Sequence, residues 1–327
     1  MAQKLFISTS PHVHCGDTIE RNMHWVIAAL MPALIASFIV FGLGALIVTF
    51  VSVVSCLFFE WLITRFLLKR SSTLADGSAV ITGLLLAFNL PSNIPLYMIV
   101  VGALVAIGIG KMAFGGLGNN PFNPALVGRV FLLISFPAVM TSWPEPHQLS
   151  AYADAVTGAT PLNLIGQIAG GNTAAIEQLP ALGTMFLGGI GGCIGEVSVL
   201  ALLIGLCILL WRKVITWHIP VSIIATVAVL TGIMWLINPV LYVNPLYHLC
   251  SGGLMLGAIF MATDYVTSPM TVKGMVWYGI GIGFLTVVIR FFGSYPEGMS
   301  FAILIMNAVT PLINNWCKPK RFGEVKK

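Results

Sequence analysis

The sequence predicts an all-helical protein folded through a lipid bilayer, on three observations: its composition, its long charge-free runs and the placing of its basic residues. Of 327 residues, 57% are hydrophobic and only 8% are charged. A soluble domain carries about 25% charged residues, so this chain cannot cover a water-facing surface. Trp25 to Phe59 contains no charged residue, and the stretches Val130 to Glu145 and Val214 to Asp264 are similarly sparse. About 20 apolar residues cross the hydrocarbon as a helix, so these runs are membrane spans. The net charge of +5 comes from basic residues scattered at span ends, which is no footprint for nucleic acid.

Taken in order, Met1 to Met23 is polar, with Pro11 and several charges, and reads as a short cytoplasmic arm rather than a signal peptide. Apolar windows then place about ten spans, near 25–41, 45–67, 79–90, 96–112, 123–140, 182–211, 217–237, 248–262, 275–292 and 299–316. Residues 24–140 form a first membrane repeat, 182–316 a second, and 317–327 a basic cytoplasmic tail. Basic residues collect on the cytoplasmic side of membrane proteins. With both termini inside, fifteen of the sixteen Lys and Arg, Arg129 among them, fall on that side and only Arg290 lies toward the outside. The same threading places 141–181, the longest polar segment, outside the cytoplasm.

Two stretches share an architecture. A short run from Gly83 breaks at Asn89-Leu-Pro91-Ser-Asn93-Ile-Pro95, followed by a Gly-containing span and the turn Gly115 to Pro121. A second run from Gly252-Gly253 breaks at Thr263 to Pro269, followed by a span with Gly279, Gly281 and Gly283 and the turn Gly293 to Gly298. The copies lie five spans apart and cross in opposite senses, which predicts a five-plus-five inverted repeat with broken helices. Such breaks at matching positions of two halves point to a buried site where the halves meet. Packing alone is the competing explanation for most of these glycines.

Ionisable residues in spans are costly and are candidates for function. Glu60 and Glu196 fall within predicted spans, and Glu60 is expected to pair with Arg65. Asp76 and Asp264 sit at the mouths of the short helices, in roughly corresponding places of the two repeats. A carboxylate among freed backbone carbonyls binds Na⁺ or relays a proton; the alternative is a helix cap or an ion pair. Asn120 and Asn123 are suited to hydrogen-bond the edge of a ring system or to cap the next helix. The six cysteines are far apart without a CxxC pair, so no metal centre is assigned. Nothing resembles a hydrolytic Ser/His/Asp set.

The outer segment contains Asp154-Ala-Val-Thr157-Gly158-Ala159-Thr160-Pro161. This matches Asp-x-x-Ser/Thr-Gly-Ala-Ser/Thr, the acceptor sequence of a flavin transferase, which moves FMN onto the last hydroxyl as a phosphoester. Gly158 and Ala159 keep the backbone slim enough to enter another enzyme's site, Asp154 stands ready to position the transfer, and Thr160 offers the oxygen. A small-residue turn opening a helix at Thr-Pro is the plainer explanation.

With Ser8-Thr-Ser-Pro-His12, Asp76-Gly-Ser78, Gly118-Asn-Asn-Pro-Phe-Asn-Pro-Ala125 and Met261-Ala-Thr-Asp264, this motif makes the chain resemble the RnfD/NqrB family along most of its length. The lack of a long N-terminal extension favours the RnfD side. The resemblance implies a urea-channel-like fold and a membrane flavoprotein component of an Rnf-type ferredoxin:NAD⁺ oxidoreductase. It implies FMN on Thr160, a non-covalent riboflavin within the spans, and coupling to Na⁺ or H⁺ movement. Implied partners are RnfA, RnfB, RnfC, RnfE and RnfG, with a flavin transferase during maturation and the bacterial inner membrane as the setting. The rival reading is a solute channel or permease on the same inverted repeat, which accounts for the broken helices but not for the acceptor sequence.

Overall fold

The computed structural model describes residues 18–69, 73–150, 152, 155–293, 295 and 297–318, and among them the regular structure is entirely helical. Five helices are long and apolar enough to cross a bilayer: Ile19–Phe41, Leu43–Leu67, Leu96–Phe114, His218–Ile237 and Val272–Phe292. At about 1.5 Å per residue, the 23 residues of Ile19–Phe41 extend about 34 Å, enough for a core of about 30 Å.

Helix α1 (Ile19–Phe41) starts at Thr18, whose hydroxyl accepts the Arg21 N–H at 3.2 Å. It turns into α2 (Leu43–Leu62) through Gly42 alone. Gly42 has φ +55°, and a Cβ there would stand 2.2 Å from the Leu149 carbonyl oxygen, so only glycine serves. A π turn, Ile63–Leu67, extends α2. The short α3 (Ser78–Phe88) spans about 16 Å, half a bilayer. Next come α4 (Leu96–Leu104) with a π turn at Val105–Ile109, α5 (Pro124–Ser135) capped by Asn123 with Pro124 in its first turn, and the single turn α6 (Pro137–Met140).

Outside the spans lie α7 (Pro161–Ala169) and the short α8 (Leu182–Leu187). The second set begins with α9 (Val199–Trp211) and α10 (His218–Ile237). The short α11 (Pro245–Cys250), and α12 (Leu254–Leu256) with its π turn Gly257–Met261, precede α13 (Val272–Phe292) and α14 (Met299–Trp316). Between the sets, α1 packs on α9 and α5 on α14. Within the sets, α2 packs on α4 and α10 on α13. The last contact is close because Gly279 and Gly283 face Ser222 and Thr226, where a Cβ on Gly279 would meet Ser222 Oγ at 1.8 Å.

Four expectations change. Residues 182–211 are not one span. Between α8 and α9 lies a non-helical segment, 188–198, in which Gly188, Gly189, Gly191, Gly192 and Gly195 weaken the helix that apolarity alone suggests. Glu60 pairs with Lys111, not Arg65: Lys111 Nζ donates to Glu60 Oε2 at 2.6 Å, both side chains almost fully buried. The π turn that carries Arg65 leaves it exposed. Arg129 is not an inner-surface charge but lies buried in α5, bonded to Glu297 and Ser300. Finally, Asp76 precedes its short helix whereas Asp264 follows its own, so they are not equivalent positions.

Candidate functional site

The acceptor segment is pinned before it reaches Thr160. Gly158 N–H donates to Trp143 O (3.0 Å) and Glu145 N–H to Val156 O (2.9 Å), while Gln148 bonds both the N–H and the carbonyl of Val156 at 2.8 Å. A single antiparallel bridge joins Pro144 to Thr157. This layer is tied to the helix ends: His147 N–H donates to Val40 O and Tyr152 Oη to Ile94 O at 2.5 Å. Partial burial pushes the Tyr152 phenol up, keeping it a donor.

Thr157 and Ala159 are exposed, Gly158 lies against the Glu145 side chain, and Asp154 lies outside the described residues. Thr160 is buried, and its hydroxyl accepts the Asn163 N–H at 3.2 Å as the cap of α7. The cap expected from Thr-Pro is therefore real, and it coexists with a second property. Thr160 lines a cavity of about 370 Å³, with Trp143, Glu196, Gly252, Tyr295 and Glu297 on its walls.

A buried charged cluster lies behind the wall, which its members Glu196 and Glu297 reach. Arg129 from α5 donates to the Glu297 carboxylate and to Ser300, and its Nη2 lies 3.7 Å from Cys193 Sγ. Cys193 N–H donates to Glu196 Oε1 (3.0 Å), and Arg290 donates to the carbonyls of His248 (2.6 Å) and Ser251 (2.9 Å). Cys193, Glu196 and Glu297 bring atoms capable of metal ligation within 4.8 Å of one another. The Arg129 guanidinium already bonded to that group supplies its positive charge. Sequence reading missed Glu297, Cys193 and Arg290 as partners. The available signal was that Arg129 and Arg290 are lone basic residues in apolar runs, which require buried counter-charges.

The other predicted residues meet at the opposite end of α5. A cavity of about 100 Å³ is lined by Thr82, Lys111, Asn120, Asn123, Phe260 and Asp264. Asn123 caps α5 through Ala125 N–H (3.1 Å) and donates to Met261 O (3.2 Å). Asn307, oriented to accept the Asn123 N–H at 3.2 Å, faces the Tyr278 hydroxyl at 2.6 Å. Asp264 accepts from Thr267 (3.2 Å) and from the Asn120 side chain. Asp76 reaches this site only at second hand: it accepts from Ser78 N–H and Oγ (2.8 and 2.5 Å), and Ser78 Oγ also takes a hydrogen bond from Lys111 Nζ (2.6 Å).

The model of the NQR2, RnfD, RnfE family matches residues 6–323. The chain belongs to that family. Relatives named as the D components of ion-translocating oxidoreductase complexes match it nearly end to end. The D component of a Na⁺-translocating ferredoxin:NAD⁺ oxidoreductase complex of Acetobacterium woodii is 45% identical, over 98% of this chain and 96% of its own. Its proton-translocating counterpart of Clostridium ljungdahlii is 42% identical over 97% and 96%. The D component of an ion-translocating oxidoreductase complex of Cronobacter sakazakii is 38% identical over 97% and 98%. In this NQR2, RnfD, RnfE member, both cavities lie well inside the matched region.

Proposed function

We propose that the chain is the D component of an ion-translocating ferredoxin:NAD⁺ oxidoreductase complex, carrying electrons through its own membrane domain. The observation that carries the reading is Thr160, the last hydroxyl of an FMN-acceptor sequence, standing on the wall of a cavity of about 370 Å³. FMN esterified there supplies one-electron redox chemistry. The residues present fit such a group: apolar Leu133, Pro137 and Trp143 offer surfaces for a flat ring, and Gly252 leaves space where a Cβ would crowd Leu162 at 3.0 Å. Riboflavin, the second expected flavin, is assigned to the Asn120–Asn123 end, where amides face apolar Phe260 and Leu85; at about 100 Å³ this cavity has to widen to hold the ring system. The two cavities are about 15 Å apart along α5, judged from the rise between Asn123 and Leu133.

The finer architecture belongs to the same reading. Ten spans form a five-plus-five inverted repeat, α1–α5 and α9–α14 with α11 and α12 together making one span, with termini cytoplasmic and the Thr160 layer outside the inner membrane. The packing of α1 on α9 and of α5 on α14 agrees with a two-fold relation in the membrane plane. The partners are RnfA, RnfB, RnfC, RnfE and RnfG, and Na⁺ or H⁺ is the coupled ion. Against a permease, the halves are locked to each other by Arg129–Glu297 and Asn123–Met261 bonds in the buried interior. Rocking of one half on the other breaks a buried ion pair at a cost of about 3–5 kcal/mol.

The test is co-expression with a flavin transferase, denaturing electrophoresis under ultraviolet light and mass spectrometry of the Thr160 peptide. A fluorescent band with FMN mass on that peptide, lost in Thr160→Ala, is expected. An unmodified, dark chain refutes covalent attachment.

A further inference from the structure

The Thr160 cavity has one group on its wall whose bonding is incomplete. Glu196 is 8% exposed; Oε1 accepts from Cys193 N–H, and Oε2 has no hydrogen-bond partner among the described residues. A buried carboxylate oxygen left bare is costly, and native proteins retain few such groups without a use. The surroundings exclude the plainest uses. Arg129 donates to Glu297 and Ser300 and Arg290 to two backbone carbonyls; each keeps an Nε–H without a partner among the described residues, yet neither guanidinium bonds Glu196 directly. A metal cation at Glu196 meets both of those positive charges.

The groups that face Glu196 are Glu297 from the turn before α14, Arg129 from α5, Arg290 from α13 and Cys193 from its own segment. Tyr295 shares the cavity wall. His248, whose ring nitrogens have no partners among the described residues, lies beneath Arg290. Two guanidiniums and two carboxylates balance, so the cluster is neutral while Glu196 is ionised, and burial with Glu297 beside it already raises the proton affinity of Glu196. Taken as a sphere, the cavity of about 370 Å³ is about 9 Å across, and one negative charge at that distance raises the proton affinity of a carboxylate on its wall about 20-fold, at the effective dielectric of protein sites. The cavity reaches solvent beside exposed Thr141 and Asn163, which gives a proton its entry.

We propose that Glu196 is the proton acceptor that balances each electron arriving at the flavin on Thr160. One electron comes from the donor side of the complex and one proton from the adjoining water. An O–H bond forms at Glu196 Oε2, and the net charge in the cavity is unchanged. Reoxidation releases the same proton. This rests on the covalent-FMN reading above and adds to it a redox-linked protonation site in the protein itself.

Redox-induced infrared difference spectroscopy on the intact complex tests it, with in-gel fluorescence run on every sample. Reduction is expected to produce the carbonyl stretch of a protonated carboxylic acid, shifted in Glu196→Asp and lost in Glu196→Gln and Thr160→Ala. A fluorescent wild-type chain without that signal, or a signal retained in Glu196→Gln or Thr160→Ala, overturns the assignment while leaving the flavin in place. A dark wild-type gel overturns the covalent reading first, and this inference with it.

Discussion

Replacing Lys111 by Met is expected to destabilise the membrane domain far more than replacing Lys111 and Glu60 together. The two charges stand 2.6 Å apart with side chains 2% and 0% exposed. At an effective dielectric of 20 their gross attraction is about 6 kcal/mol, most of it offset by the cost of burying both. Removing Lys111 leaves the Glu60 carboxylate buried without its counter-charge, still accepting from Thr73 Oγ1 at 2.7 Å, a situation that costs about 3–5 kcal/mol. With an unfolding entropy of about 2.1 cal/mol/K per residue, 327 residues give about 0.7 kcal/mol/K, so Tm falls by about 4–7 °C. The double substitution Lys111→Met with Glu60→Leu removes the stranded charge. Thr73 is exposed and turns to water, so most of the loss returns. Thermal unfolding of the purified chain in detergent measures both. A single variant within about 1 °C of wild type, or a double variant no better than the single, refutes this account of the pair.

Two further changes probe the interface of the halves. Asn123→Ala removes the α5 cap, worth about 0.5–2 kcal/mol, together with the bond to Met261 O. It is expected to lower the extractable riboflavin per chain while the fluorescence of the Thr160 peptide persists; unchanged riboflavin places that flavin elsewhere. Gly205→Ala puts a Cβ 2.5 Å from the Ala29 carbonyl oxygen and 2.7 Å from Phe260, forcing α1 and α9 apart. An overpacking loss of about 1–3 kcal/mol follows, read as a lower Tm, and no change contradicts the close contact.

Apolarity locates the five helices that are long enough to cross a bilayer, because a span declares itself over about twenty apolar residues. Where sequence and structure part, backbone or partner chemistry decides. The run 182–211 is as apolar as its neighbours, yet five glycines between α8 and α9 open it into a loop that delivers Glu196 to the Thr160 cavity, with Cys193 behind it. Arg65 is the basic residue nearest to Glu60 in sequence, whereas tertiary packing brings Lys111 to it from the end of a different helix. Asn120, Asn123 and Asp264 stand out separately in the sequence, and the fold gathers them at one cavity. Arg129 passes for a surface charge because sign and sequence position alone do not reveal a counter-ion 168 residues away. Asp154 lies outside the described residues, so its part in the acceptor motif rests on the sequence.

The burial of Thr160 bears on how the protein matures. Its hydroxyl is turned inward, holds the first turn of α7, and sits behind Pro161 and Leu162, which are also buried. On the covalent-FMN reading, a transferase must surround that oxygen to place a phosphate on it, whereas Thr160 is buried and its cavity opens to solvent beside Thr141 and Asn163. The proposed attachment then calls for a loose first turn of α7, either before it packs or by opening afterwards. Once esterified, the oxygen is a poorer acceptor for the Asn163 N–H, so loading exchanges a helix cap for a tethered ring. Under this order of events, chains that close first remain unloaded, and flavin occupancy becomes a record of the race between modification and folding.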